Sequence, residues 1–330
     1  MSGEESAAAR AELIADRGAA AESEEFFRSR PFMSAEGVTH TLRIEAAGGE
    51  LRAPLIVREI PDTDERDAIS PYGYPGIAPL RDASDIDHTR VGSKSDTQID
   101  PAAIEWSATG LVSIFVRHTL AEPLALAGAA ARNVVQIADP ALPPKSRSSD
   151  RNRINKNRRA GYEVELVAGP ETTADQRAGF FVAYEQTMRR TGAARRYFFA
   201  AAYFDRLLES PRSWLALARA PGGGVAGASL TVQSDGFLHY YLSGTADAHL
   251  RDSPMKNVVA ALLELATELE LPLNLGGGLA PGDALEEFKR GFANREQIWR
   301  TSEIVCDRQA YDRLSAGRDA AGFFPAYRSS

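Results

Sequence analysis

The spacing of apolar residues gives scattered strand signals in the first half of the chain and a regular succession of elements in the second. Thr39 to Ala46 and Leu51 to Ile60 predict two strands joined by a turn at Gly48-Gly49. Leu111 to Leu120 (LVSIFVRHTL) and Asn133 to Ala138 predict two more. Between these pairs lie SPYGYPG, Ser70 to Gly76, too rich in Pro and Gly for a regular element, a polar loop from Arg81 to Asp100, and a short helix at Pro101 to Ser107. Residues 1–36, rich in Ala and Glu, are expected to be a loosely docked helix or a mobile tail.

After Gly161 the signals strengthen. Tyr162 to Val167 reads as a strand, and Thr173 with Gln176 forms a capping box for a helix reaching about Arg190. A second helix spans Ala200 to Leu208. Three strands follow, Trp214 to Arg219, Val225 to Val232 and Phe237 to Leu242, the last two joined by the hairpin dipeptide Asp235-Gly236. Met255, Val258, Val259, Leu262, Leu265, Ala266 and Leu269 recur at the helical period, and Pro272 ends that helix. Leu273 to Leu275 is a short strand opening into Gly276, Gly277 and Gly278. Asp283 caps a further helix, with Glu286 at the capping-box position, and a last strand covers about Gln297 to Val305. The predicted organisation is an acidic tail or helix over 1–36, a domain over 37–160 with a basic linker at 145–159, and a domain over 161–330.

Composition adds exclusions. A net charge of −7 gives no global field for nucleic acid, so any such contact needs a local patch. Lys145 to Arg159, KSRSSDRNRINKNRR, carries a single acid, Asp150. It is read as an RNA-backbone contact or as a solvated interdomain helix, and without interleaved aromatics it offers no base stacking. The one cysteine, Cys306, excludes an internal disulfide and a cysteine-built zinc site, and no metal-ligand cluster is apparent. No apolar run approaches the ~20 residues of a membrane span. The acidic N-terminus lacks the features of a secretory signal, so a cytoplasmic protein is expected.

Several residues carry candidate chemistry, each with a structural alternative. Leu285, Phe288, Lys289 and Phe292 share one helical face, so Lys289 stands where an apolar residue is expected. It would stabilise an oxyanion or phosphate, or merely snorkel to water. Gly277 and its neighbours let backbone approach a ligand closely, or only form a turn. Tyr72 and Tyr74 sit in the SPYGYPG loop. On the predicted strand His239 and Tyr241 face one way and Tyr240 the other. Phenols orient acceptors by hydrogen bonds or fill the core, and His239 is a general base or a satisfied buried histidine. Arg195 and Arg196, followed by Tyr197, lie between two helices as an anion clamp or a solvated pair.

The order strand, two helices, three antiparallel strands, helix, strand, helix, strand matches the GNAT acyltransferase fold. The first half would be a shorter copy, inferred from element order alone. SPYGYPG, the segment Tyr184 to Phe204, HYYLSGT (His239 to Thr245) and LGGG followed by FKRGF together resemble the Fem-type aminoacyltransferases. The resemblance covers most of residues 65–300. It implies a mixed α/β fold of tandem GNAT-like domains and transfer of an amino acid from aminoacyl-tRNA to an amine. The acceptor would be a peptidoglycan precursor or a small metabolite such as a peptidyl-nucleoside. The chain lacks the long coiled-coil arm of some cell-wall members, which favours a compact enzyme of natural-product type. By the same resemblance Phe288 and Lys289 would form the reaction centre, and Arg196 would hold acceptor phosphates. Tyr72, Tyr74, Tyr197, His239, Tyr241 and Gly277 would line the substrate, with aminoacyl-tRNA as co-substrate and no cofactor.

An acyl-CoA-dependent N-acyltransferase is the alternative. Its pyrophosphate loop would fall at Thr245 to Lys256, which has no glycine and contains Pro254. A non-catalytic tandem-GNAT binding protein is the third reading.

Overall fold

A computed structural model describes residues 9–47, 49–79, 98–319 and 322–329. The expected loop at Arg81 to Asp100 lies almost wholly outside these residues, and so does Gly48 of the expected first turn. The chain folds into two units, Met1–Arg132 with Trp299–Ser330, and Asn133–Ile298.

The first unit begins with β1 (Ala9–Ile14), α1 (Arg30–Glu36), β2 (His40–Ala46), β3 (Gly49–Glu59), β4 (Arg66–Ile69), β5 (Ala78–Pro79), β6 (Ile104–Glu105) and β7 (Ser113–Arg117). The sheet order is β6-β1-β2-β3-β4-β7, with β5 on β3. Alternation explains β2, where Leu42 and Ile44 are fully buried. Arg43 between them pairs with Glu12 at 2.7 Å and Glu45 at 3.0 Å.

The N-terminal expectation is corrected. Arg10–Ile14 pair antiparallel with Thr41–Glu45, and the buried ring of Phe27 packs edge to face on Phe26 and Phe32, which are tilted against each other. Cross-strand pairing and aromatic burial outweigh the helical preference of an Ala-rich stretch.

The second unit contains β8 (Ala130–Ala138), from Asn133 on, then α2 (Ser148–Arg159), β9 (Glu163–Ala168), α3 (Ala174–Arg190), α4 (Ala201–Leu207), β10 (Ser213–Arg219), β11 (Val225–Ser234), β12 (Phe237–Thr245), α5 (Met255–Glu268), β13 (Leu273–Gly276) and α6 (Ala284–Arg290). Its sheet runs β8-β13-β12-β11-β10-β9, antiparallel except for the parallel pair β12-β13. Thr173 and Gln176 make both capping-box hydrogen bonds at the start of α3. Val258, Val259 and Leu262 of α5 are fully buried with Leu238 and Leu273 of the sheet, each worth roughly 1.5–3 kcal/mol relative to exposure. Helix α3 lies close on β12, where a Cβ on Gly244 would come within 2.4 Å of the Ala183 and Tyr184 backbone.

The final strand β14 (Arg295–Val305) pairs its residues 301–305 with β7, and α7 (Arg308–Ser315) follows. In the first unit Asp67, fully buried, accepts hydrogen bonds from Arg58, Arg328 and Tyr327. Residues 299–330 thus belong to the first unit, and residues 133–160 to the second, where the sequence placed the boundary at 160. The basic segment is likewise no linker. Asp150, Ile154 and Asn157 of α2 are buried, and the Asn157 amide donates to the Asn257 side chain of α5 at 2.8 Å.

No described helix is long and apolar enough to cross a membrane.

Candidate functional site

The local arrangement at the end of β13 follows from two departures from regular pairing. Strands β12 and β13 are bonded only at Leu238–Leu273 and His239–Asn274. Beyond these, β13 pairs with β8 while β12 continues along β11. On β12 the register with β11 jumps from Leu242–Leu230 to Tyr240–Thr231, leaving Tyr241 as the extra residue of a bulge. The two parallel strands therefore part just where Gly276 turns the chain at φ +77°. A glycine tolerates this conformation without strain.

Lys289 of α6 lies at this opening. It is buried, with its Nζ 2.6 Å from the Gly277 carbonyl oxygen, to which it donates. A Cβ on Gly276 would stand 3.0 Å from the same nitrogen. Burial lowers the lysine's pKa to about 8, and the Asp283 carboxylate partly opposes this. The hydrogen bond to Gly277 leaves the ammonium two further N–H donors. A concentrated positive charge at a strand end, in a poorly hydrated setting, can meet a developing oxyanion.

The loop that carries Gly277 is held from within. Asp283 accepts from the amides of Leu279 at 2.7 Å, Ala280 at 3.0 Å and Glu286 at 2.7 Å. The Glu286 amide, followed by those of Ala280 and Leu279, keeps its carboxyl below the usual range. The Glu286 side chain accepts from the Gly282 amide rather than closing a capping box on Asp283. Gly277 is needed sterically, because a Cβ there would lie 2.5 Å from Asn133 Nδ2 and 2.6 Å from the Val134 oxygen.

The buried face of α6 differs from expectation. Glu286 and Lys289 are buried and Leu285 is exposed, because α6 is a two-turn helix whose Glu286 is recruited to the loop. Phe288 is half-buried and packs edge to face on Phe292 at 5.6 Å.

His239 takes its structural reading. Its Nε2 is 3.2 Å from the Ser234 carbonyl oxygen, and its Nδ1 is 3.0 Å from Asn274 Nδ2. Acceptance at Nδ1 and donation at Nε2 fix a neutral ring, and burial lowers its pKa to about 4. Asn274 also accepts from the Gly276 amide at 2.8 Å, so it joins His239 to the turn beside Lys289. The sequence reasoning missed Asn274. Its signal was a lone amide inside the apolar run LPLNL.

Tyr241 meets the Tyr203 hydroxyl at 3.4 Å, and Tyr203 stacks on Phe199 at 4.1 Å. Nearby in the sequence, the Tyr184 hydroxyl donates to the Tyr197 carbonyl at 2.7 Å. The exposed Arg196 guanidinium sits 5.0 Å from the Tyr197 ring centre. The structure thus gathers Phe288, Lys289 and Gly277 in one group and ties His239 to it through Asn274. Tyr241 and the Arg196–Tyr197 turn belong to an aromatic layer around α3 and α4.

Tyr72 and Tyr74 are in the first unit. Tyr72 is exposed, and its amide donates to the Glu36 carboxylate at 2.8 Å. Tyr74 packs edge to face on Phe27 and Trp299, each at 5.6 Å. The first unit also holds a cavity of about 420 Å³ lined by Glu122, Pro123, Leu124 and Arg300, and one of about 390 Å³ beside Cys306.

The start of α5, where a CoA pyrophosphate would be sought, is occupied by the protein's own groups. Lys256 in its first turn pairs with the Asp150 carboxylate at 2.6 Å. The preceding 3-10 turn, Asp247–Asp252, is pinned by the Tyr162 hydroxyl, 2.9 Å from His249 Nδ1 and 2.8 Å from Asp252 Oδ2.

Residues 144–290, which include α2 through Lys289, match the family described as Acetyltransferase (GNAT) domain. No curated protein matches the sequence. Among solved structures, the crystal structure of FemX aligns at 11% identity and a TM-score of 0.55, over 83% of this chain and 89% of that one. L-PGS from Bacillus licheniformis aligns at 12% identity and TM-score 0.53, over 81% and 85% of the two chains. The C-terminal domain (DUF2156) of a putative lysylphosphatidylglycerol synthetase from Agrobacterium fabrum aligns at 13% identity and TM-score 0.52, over 87% and 89%. At these identities the likeness establishes the fold. The chain has a mixed α/β, Fem- and GNAT-like fold.

Proposed function

We propose that the protein is an aminoacyltransferase that forms an amide bond between an amino acid delivered by aminoacyl-tRNA and an amine of a small acceptor. The acceptor would be a peptidyl-nucleoside or other secondary metabolite, or a peptidoglycan precursor. The observation that carries this reading is the buried Lys289 ammonium at the parting of β12 and β13. A neutral amine attacks the ester carbonyl and a C–N bond forms. The tetrahedral oxyanion collapses, the C–O bond to the ribose breaks, and the amine proton passes to the released ribose oxygen. The ester is already activated, so the step needs positioning and charge stabilisation but no covalent enzyme intermediate. In this reading Lys289 meets the oxyanion and Phe288 packs beside it. Gly277 holds the lysine by its carbonyl, and Tyr241, Arg196 and Tyr197 contact the acceptor. Asn274 and His239 act as positioning residues.

The GNAT match favours acyl-CoA as the competing donor. Against it stands the start of α5, where Asp150 places a carboxylate beside the first turn and Ser253 takes a left-handed conformation at φ +51° in a loop without glycine. A pyrophosphate would find the Lys256 ammonium already engaged by Asp150 and no glycine to bring the loop amides close. The deciding experiment mixes purified protein with charged tRNA or with acetyl-CoA and a panel of amines, and detects products by mass. Product that ribonuclease abolishes supports the tRNA donor, and product from acetyl-CoA alone overturns it.

A further inference from the structure

We infer that the outward face of α2 is a docking surface for the phosphate backbone of RNA. The inference rests on the tRNA-donor reading and assigns it a surface distinct from the Lys289 site.

The segment 145–159 holds seven basic residues and one acid, whereas the remaining 315 residues carry 31 basic and 44 acidic side chains. The cations are thus concentrated on one element of an otherwise acidic protein. The single acid is withdrawn from that surface, because Asp150 is buried and paired with Lys256. At 3.6 residues per turn, Asp150, Ile154 and Asn157 define the face set against the body of the unit. The opposite arc carries Asn152, Asn155, Lys156 and Arg159, with Arg151 and Arg158 on one flank, all exposed. Among the described residues Arg158 has only a loose pair with exposed Glu264 at 3.7 Å. Arg151 and Arg159 bond to backbone carbonyls, which do not neutralise them, and Lys156 forms no ion pair with any described residue. Arg151 to Arg159 extends about 12 Å along the helix.

Such an array fits a polyanion by counterion release, and the interleaved asparagines offer further hydrogen bonds to phosphate and sugar. A bilayer fits less well, because the only large apolar side chain of α2, Ile154, faces inward and leaves nothing to insert.

The test measures binding of uncharged tRNA by fluorescence anisotropy from low to moderate salt. It compares the full chain with the triple variant Arg151→Gln, Lys156→Gln, Arg159→Gln. The variant should bind about tenfold to a hundredfold more weakly near 0.1 M salt, with a log–log salt slope shallower by about 2 to 3. Arg151→Lys with Arg159→Lys should retain the slope, and Arg308→Gln on α7 should leave binding unchanged. Equal binding by the wild type and the triple variant, with thermal unfolding unaltered, would overturn the inference, as would absence of wild-type binding at low salt. Loss of binding to vesicles of mixed neutral and anionic phospholipid, with RNA binding intact, would reassign the face to a membrane and equally overturn it. RNA binding through α2 without any transfer from charged tRNA would count against the proposed reaction alone.

Discussion

The Nζ of Lys289 donates a 2.6 Å hydrogen bond to the carbonyl oxygen of Gly277, so the buried cation of α6 is tied to the loop that leaves β13. That bond fixes the charge at a defined point without neutralising it, since a carbonyl lowers the cost of burial but leaves the formal charge intact.

The first expectation concerns that charge. Lys289→Met keeps the length and apolar stem of the side chain and removes the donor. Transfer should fall about 10²–10³-fold, the usual effect of deleting one oxyanion donor, while far-UV circular dichroism is unchanged. Transfer at the wild-type rate would remove Lys289 from the reaction centre.

The same residue makes a stability prediction with a definite sign. Its folded pKa of about 8 lies below the ordinary 10.5, so between these values the unfolded chain binds more protons than the folded one. Stability of the wild type should therefore rise relative to Lys289→Met as pH increases from 8 to 10.5, by roughly 3 kcal/mol. Denaturant unfolding of both proteins at paired pH values reads the difference.

Two buried histidines should respond in the acid range. His239 and His118, the latter 2.7 Å from the Ser302 hydroxyl, are both lowered by burial from 6.5 to about 4. Here too the unfolded chain takes up protons first, so stability should fall as pH drops from 6.5 towards 4. The loss is on the order of 3 kcal/mol per histidine. Ring-proton resonances of these two residues should stay unshifted down to about pH 5.

Gly277→Ala should act through sterics alone. The new methyl would meet Asn133 Nδ2 at 2.5 Å and the Val134 carbonyl oxygen at 2.6 Å. Strain of this kind costs about 1–3 kcal/mol and displaces the carbonyl that holds Lys289, so both thermal stability and turnover should decline.

Asn274→Leu removes the donor to His239 and the acceptor for the Gly276 amide in a buried setting. A loss of about 1–3 kcal/mol is expected for the unsatisfied groups, readable as a lower denaturant midpoint. Unchanged stability would mean that the amide does not bridge the two strands.

Much of the second unit was legible because its signals are local. Thr173 and Gln176 cap α3 as their spacing predicts, and Asp235 and Gly236 adopt the left-handed turn expected of that dipeptide, at φ +50° and +78°. The α5 stripe of Val258, Val259 and Leu262 is buried as its period requires. What local pattern could not reveal depends on partners distant in sequence. The Ala-rich stretch 9–14 is a strand only because residues 41–45 pair with it. Three buried positions set the basic helix on α5, but the charge of their neighbours masks them in the sequence. At the candidate site the burial of Lys289 agrees with its odd place on an apolar face, yet Leu285 and Glu286 exchanged roles once the loop claimed a carboxylate. Asn274, whose use lies in a neighbour 35 positions earlier, carried only a weak local mark.

The lock on Asp67 bears on how the chain is made. Its partners Tyr327 and Arg328 lie about 260 residues downstream, and the strand that completes β7 spans 301–305. Synthesis proceeds from the N-terminus, so the contiguous unit 133–298 is fully outside the ribosome before the discontinuous one has its closing strand. The nascent first unit must wait with the edge of β7 unpaired and the Asp67 carboxylate met by Arg58 but not yet by Tyr327 and Arg328. It is the part of the molecule most exposed to misassociation while translation runs, although it was the earlier part to emerge.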